Sequence, residues 1–529
     1  MAVAERKSGS AQFDSNTAFA LRYVVPGVVG SVLMTLGSFG VGWLPLSSAL
    51  NDWPFIEVLR GTSSGSVVSK VAVFAGVALL LQSWLVLGFG VMHSNVDDRH
   101  RLWWTGAAWG APLLLSFPMF SRDVYSYFAQ GLLLVEGKDP YTSGVVAIPG
   151  WFGTGADPLW GESPAPYGPL FLVLERGVAA FVPSDPLLGA YVFRLIAVLG
   201  LLLIAWATPK LAYLNGISRS KALWLVVLNP LVFMHFIVGV HNDALMVGII
   251  AVAVVVALRG SPAWAVALVA LGASVKPIGL LAVPFLGLIW AGRRASFWPR
   301  VRVWVISLGI TILVFVGLSL ISRTGLGWLD ALATPGKVRT WLSPPTALGM
   351  IFGAIGDTVG ITSVDTMVVV FRTIGQLVAV LFIAWLLLKP EGRSPTRALG
   401  LAFMAVVLLG PVVQPWYLLW GLPMLVAAGL RRNEFRAVVL GTALLALHAL
   451  GTSSSTQDTL FEISDGIGLV VAGLIVVVVA FTSPRERRLL LGAPEDNGLL
   501  PSDPAAAGRA ASQVITGPLP ETGSSGPAR

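Results

Sequence analysis

Apolar positions in this chain come in long uninterrupted runs. That is the pattern of helices apolar on every side, not of half-buried strands or one-faced surface helices. Between charged or Pro/Gly-rich breaks the runs fall at 20–46, 69–92, 102–120, 187–209, 222–239 and 243–258. A pair broken at Lys276-Pro277 follows at 262–275 and 277–292, and then come 301–322, 365–388, 397–413, 416–430, 437–451 and 466–482. A helix rises 1.5 Å per residue, so about 20 residues cross roughly 30 Å of hydrocarbon. The pattern predicts about fourteen apolar segments, several of them only half-spans or buried pieces.

Composition agrees with that pattern. Of 529 residues, 55% are hydrophobic and 12% charged, and the mean hydropathy is +0.79. An ordinary soluble domain carries about twice that charged fraction. A water-soluble protein is excluded, and an all-α polytopic membrane protein is expected. The formal charge of +8 does not point to nucleic acid, because no basic run with interleaved aromatics is present and such residues first set orientation in a membrane. The absence of cysteine removes disulfides, thiolate-ligated metals and thiol catalysis together.

With the N-terminus cytoplasmic, 24 of the 35 Lys and Arg residues fall in inner segments and the C-terminal tail, and 8 in outer segments. The positive-inside bias favours this orientation. Residues 1–19 then form a cytoplasmic tail and 20–482 the membrane domain; the first run is too long for a cleaved signal peptide. Residues 483–529, rich in Pro, Gly, Ala and Ser, read as a disordered cytoplasmic tail.

Candidate chemistry gathers on the outer face. The longest segment between spans, 121–186, opens with Ser121-Arg122-Asp123-Val124-Tyr125-Ser126-Tyr127, and helical spacing puts Val124, Tyr127, Phe128, Gly131, Leu132 and Val135 on one face. This predicts an amphipathic helix lying at the membrane surface and starting just after Asp123. Asp123 reads equally as the helix N-cap or as a general base at the mouth of a membrane cavity. Downstream, Asp139-Pro140-Tyr141 and Pro166-Tyr167-Gly168-Pro169 have turn chemistry, and aromatics beside carboxylates also suit a sugar.

His241-Asn242-Asp243 sits between two apolar runs on the same face, as helix caps or as ligands. Lys276 lies inside an apolar pair, where an unpaired lysine costs ~3 kcal/mol at the bilayer centre, so it is functional by default, with an anionic phosphate as its natural partner. Arg194 and Arg372 share that placement, with structural ion pairs as the alternative. Gln414-Pro415-Trp416-Tyr417, with Trp420, resembles an interfacial aromatic belt. No G-x-G-x-x-G, P-loop or H-E-x-x-H occurs, and no outer segment is long enough for a doubly wound nucleotide domain. A lipid-linked donor reached sideways from the bilayer needs none of these.

An Asp at the start of the first large outer loop of a polytopic chain resembles the GT-C glycosyltransferases, which use polyprenyl-phosphate sugars. Ser121 to Tyr127, Gly137-Lys138-Asp139-Pro140-Tyr141, Pro166-Tyr167-Gly168-Pro169, Val240-His241-Asn242-Asp243 and Val275-Lys276-Pro277 are similar, in order, to the actinobacterial α-1,6-mannosyltransferases of the MptA and MptB type. The resemblance covers roughly 20–480 and implies a GT-C-type helical bundle. It also implies a polyprenyl-phosphate mannose donor, a membrane-anchored mannan acceptor of lipomannan and lipoarabinomannan, and Asp123 as base, with Asp139 or Asp243 as a second acid.

Inverting displacement needs one carboxylate base and cationic clamps on the departing phosphate. Arg122, Lys276, Arg323, Lys337 and Arg339 are the candidate clamps, and Tyr127, Asp139, Tyr167, His241, Asn242, Asp243 and Gln414 the further candidate substrate contacts. No metal site is expected, although a divalent cation held by scattered carboxylates stays open, as does a lipid-phosphate arabinose or glucose donor. A lipid or glycan transporter is the rival from another class, favoured by inverted halves with matching broken helices. Only one broken pair, at 262–292, is visible in the sequence.

Overall fold

The computed structural model describes residues 15–94, 97–292, 294–331 and 338–451. Every regular element among them is helical, and the chain is an all-α polytopic membrane protein. Lys337, the run at 466–482 and the C-terminal tail lie outside the described residues.

The helices are α1 (Asn16–Val41), α2 (Pro54–Gly61), α3 (Ser63–His93), α4 (Arg99–Leu113), α5 (Asp123–Val135) and α6 (Pro169–Phe181). They continue as α7 (Pro186–Leu214), α8 (Arg219–Val226), a π-helical α9 (Val232–Val238), α10 (Asp243–Leu258), α11 (Pro262–Ala273) and α12 (Pro277–Ala291). The last six are α13 (Phe297–Ser322), α14 (Pro344–Thr358), α15 (Val364–Leu388), α16 (Pro395–Leu409), α17 (Pro415–Ala427) and α18 (Arg432–Gly451). Among the described residues six helices, α1, α3, α7, α13, α15 and α18, are long and apolar enough to cross a membrane. The pair α9 and α10, bent by 112° at its break, makes a seventh span if taken as one.

The expected count of about fourteen segments therefore divides unevenly. The runs at 262–275, 277–292, 397–413 and 416–430 are short helices, and Pro277 and Pro415 open the second of each pair with a tight turn at N1. Such half-spans bring backbone turns to membrane depth, where irregular backbone survives only inside protein or beside a cavity.

Two ends of the bundle differ in chemistry. At one end Asp97 takes Arg219 at 2.6 Å and Arg99 at 3.0 Å, Asp98 takes Arg101, and Glu434 takes Arg397. At the other end α4, α9, α11 and α16 stop, and α5, α10, α12 and α17 begin. Small residues let the helices approach there: a Cβ on Gly200 of α7 would stand 2.4 Å from the backbone of Ala244 in α10.

The helix starts at Asp123 itself, one residue before the start the sequence gives, and it does not lie at the surface. Val124 through Gly131, with Leu133 and Leu134, are all buried, including Ser126 and Gln130 on the side expected to face water. That side is covered by the chain between 140 and 165, which folds back through bonds such as Val146 N to Gly161 O and Ala165 N to Pro140 O. On another side α5 packs on α6, where a Cβ on Gly131 would stand 2.2 Å from the Glu175 carbonyl.

Candidate active site

The turns at this end deliver side chains from four separate stretches of sequence to one place. Asp123 is the first residue of α5, not the cap before it: Arg122 holds the cap position, and no side chain caps the helix there. Asp123 donates its backbone N–H to Ser121 Oγ at 3.1 Å, and its carboxylate is one-fifth exposed. The cap reading therefore falls away, and the carboxylate is left for chemistry. Burial pushes the Asp123 carboxyl up to about 6, against the pull of the nearby Lys276 charge and with further upward pressure from Asp157 and Asp243.

Facing it, His241 stands with Nδ1 at 3.6 Å from Asp123 Oδ2. Its wholly buried ring stacks on Trp416, centroid to centroid 3.6 Å with 21° between the planes. Neither imidazole nitrogen of His241 and neither amide atom of the buried Asn242 has a hydrogen-bond partner. Buried polar atoms left unpaired are rare and call for an explanation, and a ligand is one.

Next along the chain, buried Asp243 accepts Lys276 Nζ at 2.9 and 3.0 Å and Trp420 Nε1 at 2.6 Å. The same ammonium lies 5.3 Å from the Tyr417 ring and 5.5 Å from the Trp420 ring. Lys276 is thus held as a cation by a carboxylate and two aromatic faces, which meets the cost of placing it among apolar helices. Trp416 and Trp420 are buried parts of this cluster and not the interfacial belt their spacing suggested. The sequence signal that could have found them is Pro415, which turns the segment inward between two runs too short to span.

Backbone strain marks the same turns. Among the described residues three non-glycine residues have positive φ: Phe120 at 66°, Val240 at 57° and Arg323 at 62°. Phe120 leads into Ser121-Arg122-Asp123, and Val240 precedes His241. A bulky or β-branched residue in the left-handed region costs ~1–3 kcal/mol and persists only where surrounding structure over-determines it, as functional sites do.

The remaining candidates separate into those beside the cluster and those used elsewhere. Tyr127 packs edge-on against Tyr167 at 5.1 Å and Phe171 at 5.0 Å, with its hydroxyl near the Asn242 backbone and Tyr167. Tyr167 also accepts the Tyr141 hydroxyl on its carbonyl at 2.8 Å. Just after it, Gly168 and Phe171 at the start of α6 donate to the Val275 and Ser274 carbonyls, tying α6 to the residues before Lys276. Gln414 is half-buried at the head of the turn that carries Trp416. Asp139 uses Oδ1 to accept the Tyr141 N–H at 2.9 Å and so builds a turn; of the two candidate second acids, only Asp243 is bonded to Lys276.

The arginine clamps are not gathered here. Arg122 donates to the Gly155 and Ala156 carbonyls at 2.9 and 3.1 Å and lies over Trp43, so it fastens the covering loop. Arg194 donates to the carbonyls of Ile237, Leu114 and Ser116, satisfying helix ends in place of the ion pair considered for it. Arg372 bonds Thr346 Oγ1 and the Val338 carbonyl. Arg339 pairs with Asp365 at the surface, and Arg323 is an exposed helix C-cap. Among the described residues no group of three or more His, Asp or Glu side chains has the geometry to hold a metal ion.

Sequence comparison bears on what this cluster does. A family model described as the N-terminal domain of α-(1→6)-mannopyranosyltransferases matches residues 24–292, and one described as the MptB C-terminal domain matches 345–482. The chain is 34% identical to a probable α-(1→6)-mannopyranosyltransferase of Mycolicibacterium smegmatis, over 91% of each protein. It is 36% identical to α-(1→6)-mannopyranosyltransferase A of Mycobacterium tuberculosis, over 76% of this chain and 79% of that one. With α-(1→6)-mannopyranosyltransferase B of Corynebacterium glutamicum the identity is 30%, over 75% and 71%. No solved structure matches the chain.

Proposed function

The chain belongs to the α-(1→6)-mannopyranosyltransferase family, and from that premise we propose that it moves mannose from polyprenyl-phosphate mannose to a membrane-anchored α-1,6-mannan of the lipomannan and lipoarabinomannan type. As a family member it is a hexosyltransferase, an α-1,6-mannosyltransferase, set in a membrane. The observation that carries the finer reading is the meeting of the Asp123 carboxylate, the Lys276 ammonium and the unpartnered His241 and Asn242 side chains at one end of the bundle.

The donor reading is supported by architecture. The described residues contain no strand, hence no doubly wound sheet to hold a nucleotide. A cluster at the ends of membrane helices suits a substrate whose sugar phosphate sits at the surface while its lipid stays in the bilayer. The opposite end carries the Asp97, Asp98 and Glu434 arginine partners, so the positive-inside bias supports a site facing the extracytoplasmic side of the plasma membrane.

Asp123 is the general base. Its carboxylate takes the proton from the acceptor 6-hydroxyl as that oxygen bonds to the mannose anomeric carbon. The anomeric carbon–phosphate oxygen bond breaks with its electron pair going to the phosphate, so a β-linked donor gives an α-mannoside. A carboxyl raised to about 6 is still ionised at neutral pH and is a stronger base than an ordinary aspartate. The Lys276 ammonium, with Asp243 on one side, keeps N–H capacity for the phosphate whose charge grows as the bond breaks. Asn242 and Gln414 offer amides for the sugars, and the enclosed Tyr127 and Tyr167 rings back the turn that carries Asn242. The test is purified protein in lipid nanodiscs given polyprenyl-phosphate mannose and a short α-1,6-mannoside. Chain extension with an α-1,6 linkage is expected, and equal use of the arabinose or glucose lipid phosphate would overturn the donor assignment.

A further inference from the structure

We infer that His241, held flat by Trp416, is the positioning residue for the Asp123 carboxylate: in the loaded enzyme Nδ1–H donates to Oδ2 and leaves Oδ1 turned to the acceptor hydroxyl. This inference rests on the reading of Asp123 as the base.

Three observations converge on it. The Nδ1 to Oδ2 separation of 3.6 Å is just outside hydrogen-bond range, and catalytic contacts of this kind are often long without substrate and tighten with it. Neither nitrogen of the imidazole has a partner, although the ring has no exposure, whereas a packing histidine in a helix bundle ordinarily gives its N–H to a neighbouring carbonyl. The ring is fixed in plane and direction, stacked on Trp416 at 3.6 Å and flanked by His235 at 5.9 Å.

The backbone adds an independent indication. Val240 at φ 57° aims His241, and Phe120 at φ 66° lies three residues before Asp123, so two strained turns from distant parts of the chain present the two side chains to each other. On the Asp123 side the Ser121 hydroxyl already accepts the Asp123 N–H, which fixes the first turn of α5. The same hydroxyl also bonds the carboxyl, and His241 adds the second constraint, which fixes the oxygen that faces the acceptor. A base free to rotate presents the wrong oxygen or the wrong lone pair, and a misplacement of about 1 Å costs on the order of 10²-fold in rate.

The experiment compares His241→Phe, which keeps the stacking but not the N–H, with His241→Asn, whose Nδ2 amide stands where Nδ1 does and can donate. Steady-state kinetics are measured from pH 5 to 9 with polyprenyl-phosphate mannose and a short α-1,6-mannoside. His241→Phe is expected to lower kcat on the order of 10²-fold with the donor KM within a few-fold. It should also move the acid limb of kcat/KM to higher pH, because the carboxylate loses a hydrogen bond that favours its ionised form. His241→Asn should recover part of the rate.

A donor KM that rises while kcat and the acid limb stay put would make His241 a phosphate or sugar ligand and overturn the inference, as would unchanged kinetics. Near-normal transfer by Asp123→Asn alone would instead sink the base reading. In the Asp123→Asn background His241→Phe should cost nothing more; a second full loss there would show that the two residues act separately. Should His241→Phe fail to accumulate folded, His241→Leu, which likewise has no N–H to give Asp123, carries the same expectations.

Discussion

At the scale of single residues, Asp123 separates two readings that the sequence alone left equal. As N1 of α5, with no role in capping, its carboxylate is replaceable by an amide without loss of the helix, which Ser121 and the burial of Val124 to Leu134 hold in place. Asp123→Asn should therefore keep yield and thermal stability while transfer falls 10²- to 10⁴-fold, the usual worth of general-base assistance. Transfer within a few-fold of the parent would remove it from the base role. Glu175 is a residue that periodicity could not single out, since an acid in a helix of mixed pattern reads as a solvated position. It is wholly buried in α6, neither oxygen has a partner, and burial pushes its carboxyl well above the usual range. The folded state thus holds a proton that the unfolded chain has released above pH ~4.3, so stability is lost as pH rises toward the folded value. Glu175→Gln should remove that loss, and its melting-temperature gain over the parent should be larger at pH 8 than at pH 5. An equal gain at both would mean that the carboxyl ionises in place.

At the scale of elements, the helices themselves were legible and their surroundings were not. Runs such as 187–209 and 301–322 end within a few residues of where α7 and α13 do, because a long apolar run in lipid has no alternative to a helix. The burial of Ser126 and Gln130 was illegible because it depends on the loop between 140 and 165, whose bonds join residues far apart in the chain and leave no periodicity. Tyr417 and Trp420 escaped for the same reason: their partner Lys276 lies some 140 residues away. Motif recognition did mark Asp123, His241 to Asp243 and Lys276, since isolated polar residues between apolar runs stand out against a 12% charged background. The crossing of α7 over α10 shows how element packing reaches the site. Gly200 lies against the backbone of Ala244, directly after Asp243, so a side chain there must push α10 and its first turn away. Gly200→Leu should destabilise by ~1–3 kcal/mol through overpacking. Because the displaced turn carries His241 to Asp243, it should lower kcat more than a change of comparable stability cost away from the cluster, such as Leu386→Ala buried near the end of α15, does. Equal losses at matched stability would mean that the crossing does not position the turn.

At the scale of the whole molecule, the distribution of charge between the two ends decides how the enzyme meets its substrates. The candidate cluster is built where α4, α9, α11 and α16 end, and the Asp97, Asp98 and Glu434 networks with their arginines lie where α3 ends and α8, α16 and α18 begin. Those arginines resist translocation, so the positive-inside bias supports the proposed orientation, with the second end cytoplasmic and the cluster on the other face. A chain without cysteine offers a direct test by single-cysteine labelling. Ser143, in the loop covering α5, and Asn433, exposed at the head of α18, report on the two ends. In intact cells an impermeant maleimide should label Ser143→Cys and spare Asn433→Cys, and permeabilisation should expose the latter. If the pattern is reversed, the site opens to the cytoplasm, where nucleotide-linked sugars are available, and the case for a lipid-phosphate donor loses its topological support. If it holds, the base proposed at Asp123 works on a face that a soluble nucleotide sugar does not reach. That outcome supports the proposed donor, which arrives through the bilayer and presents its phosphate to Lys276.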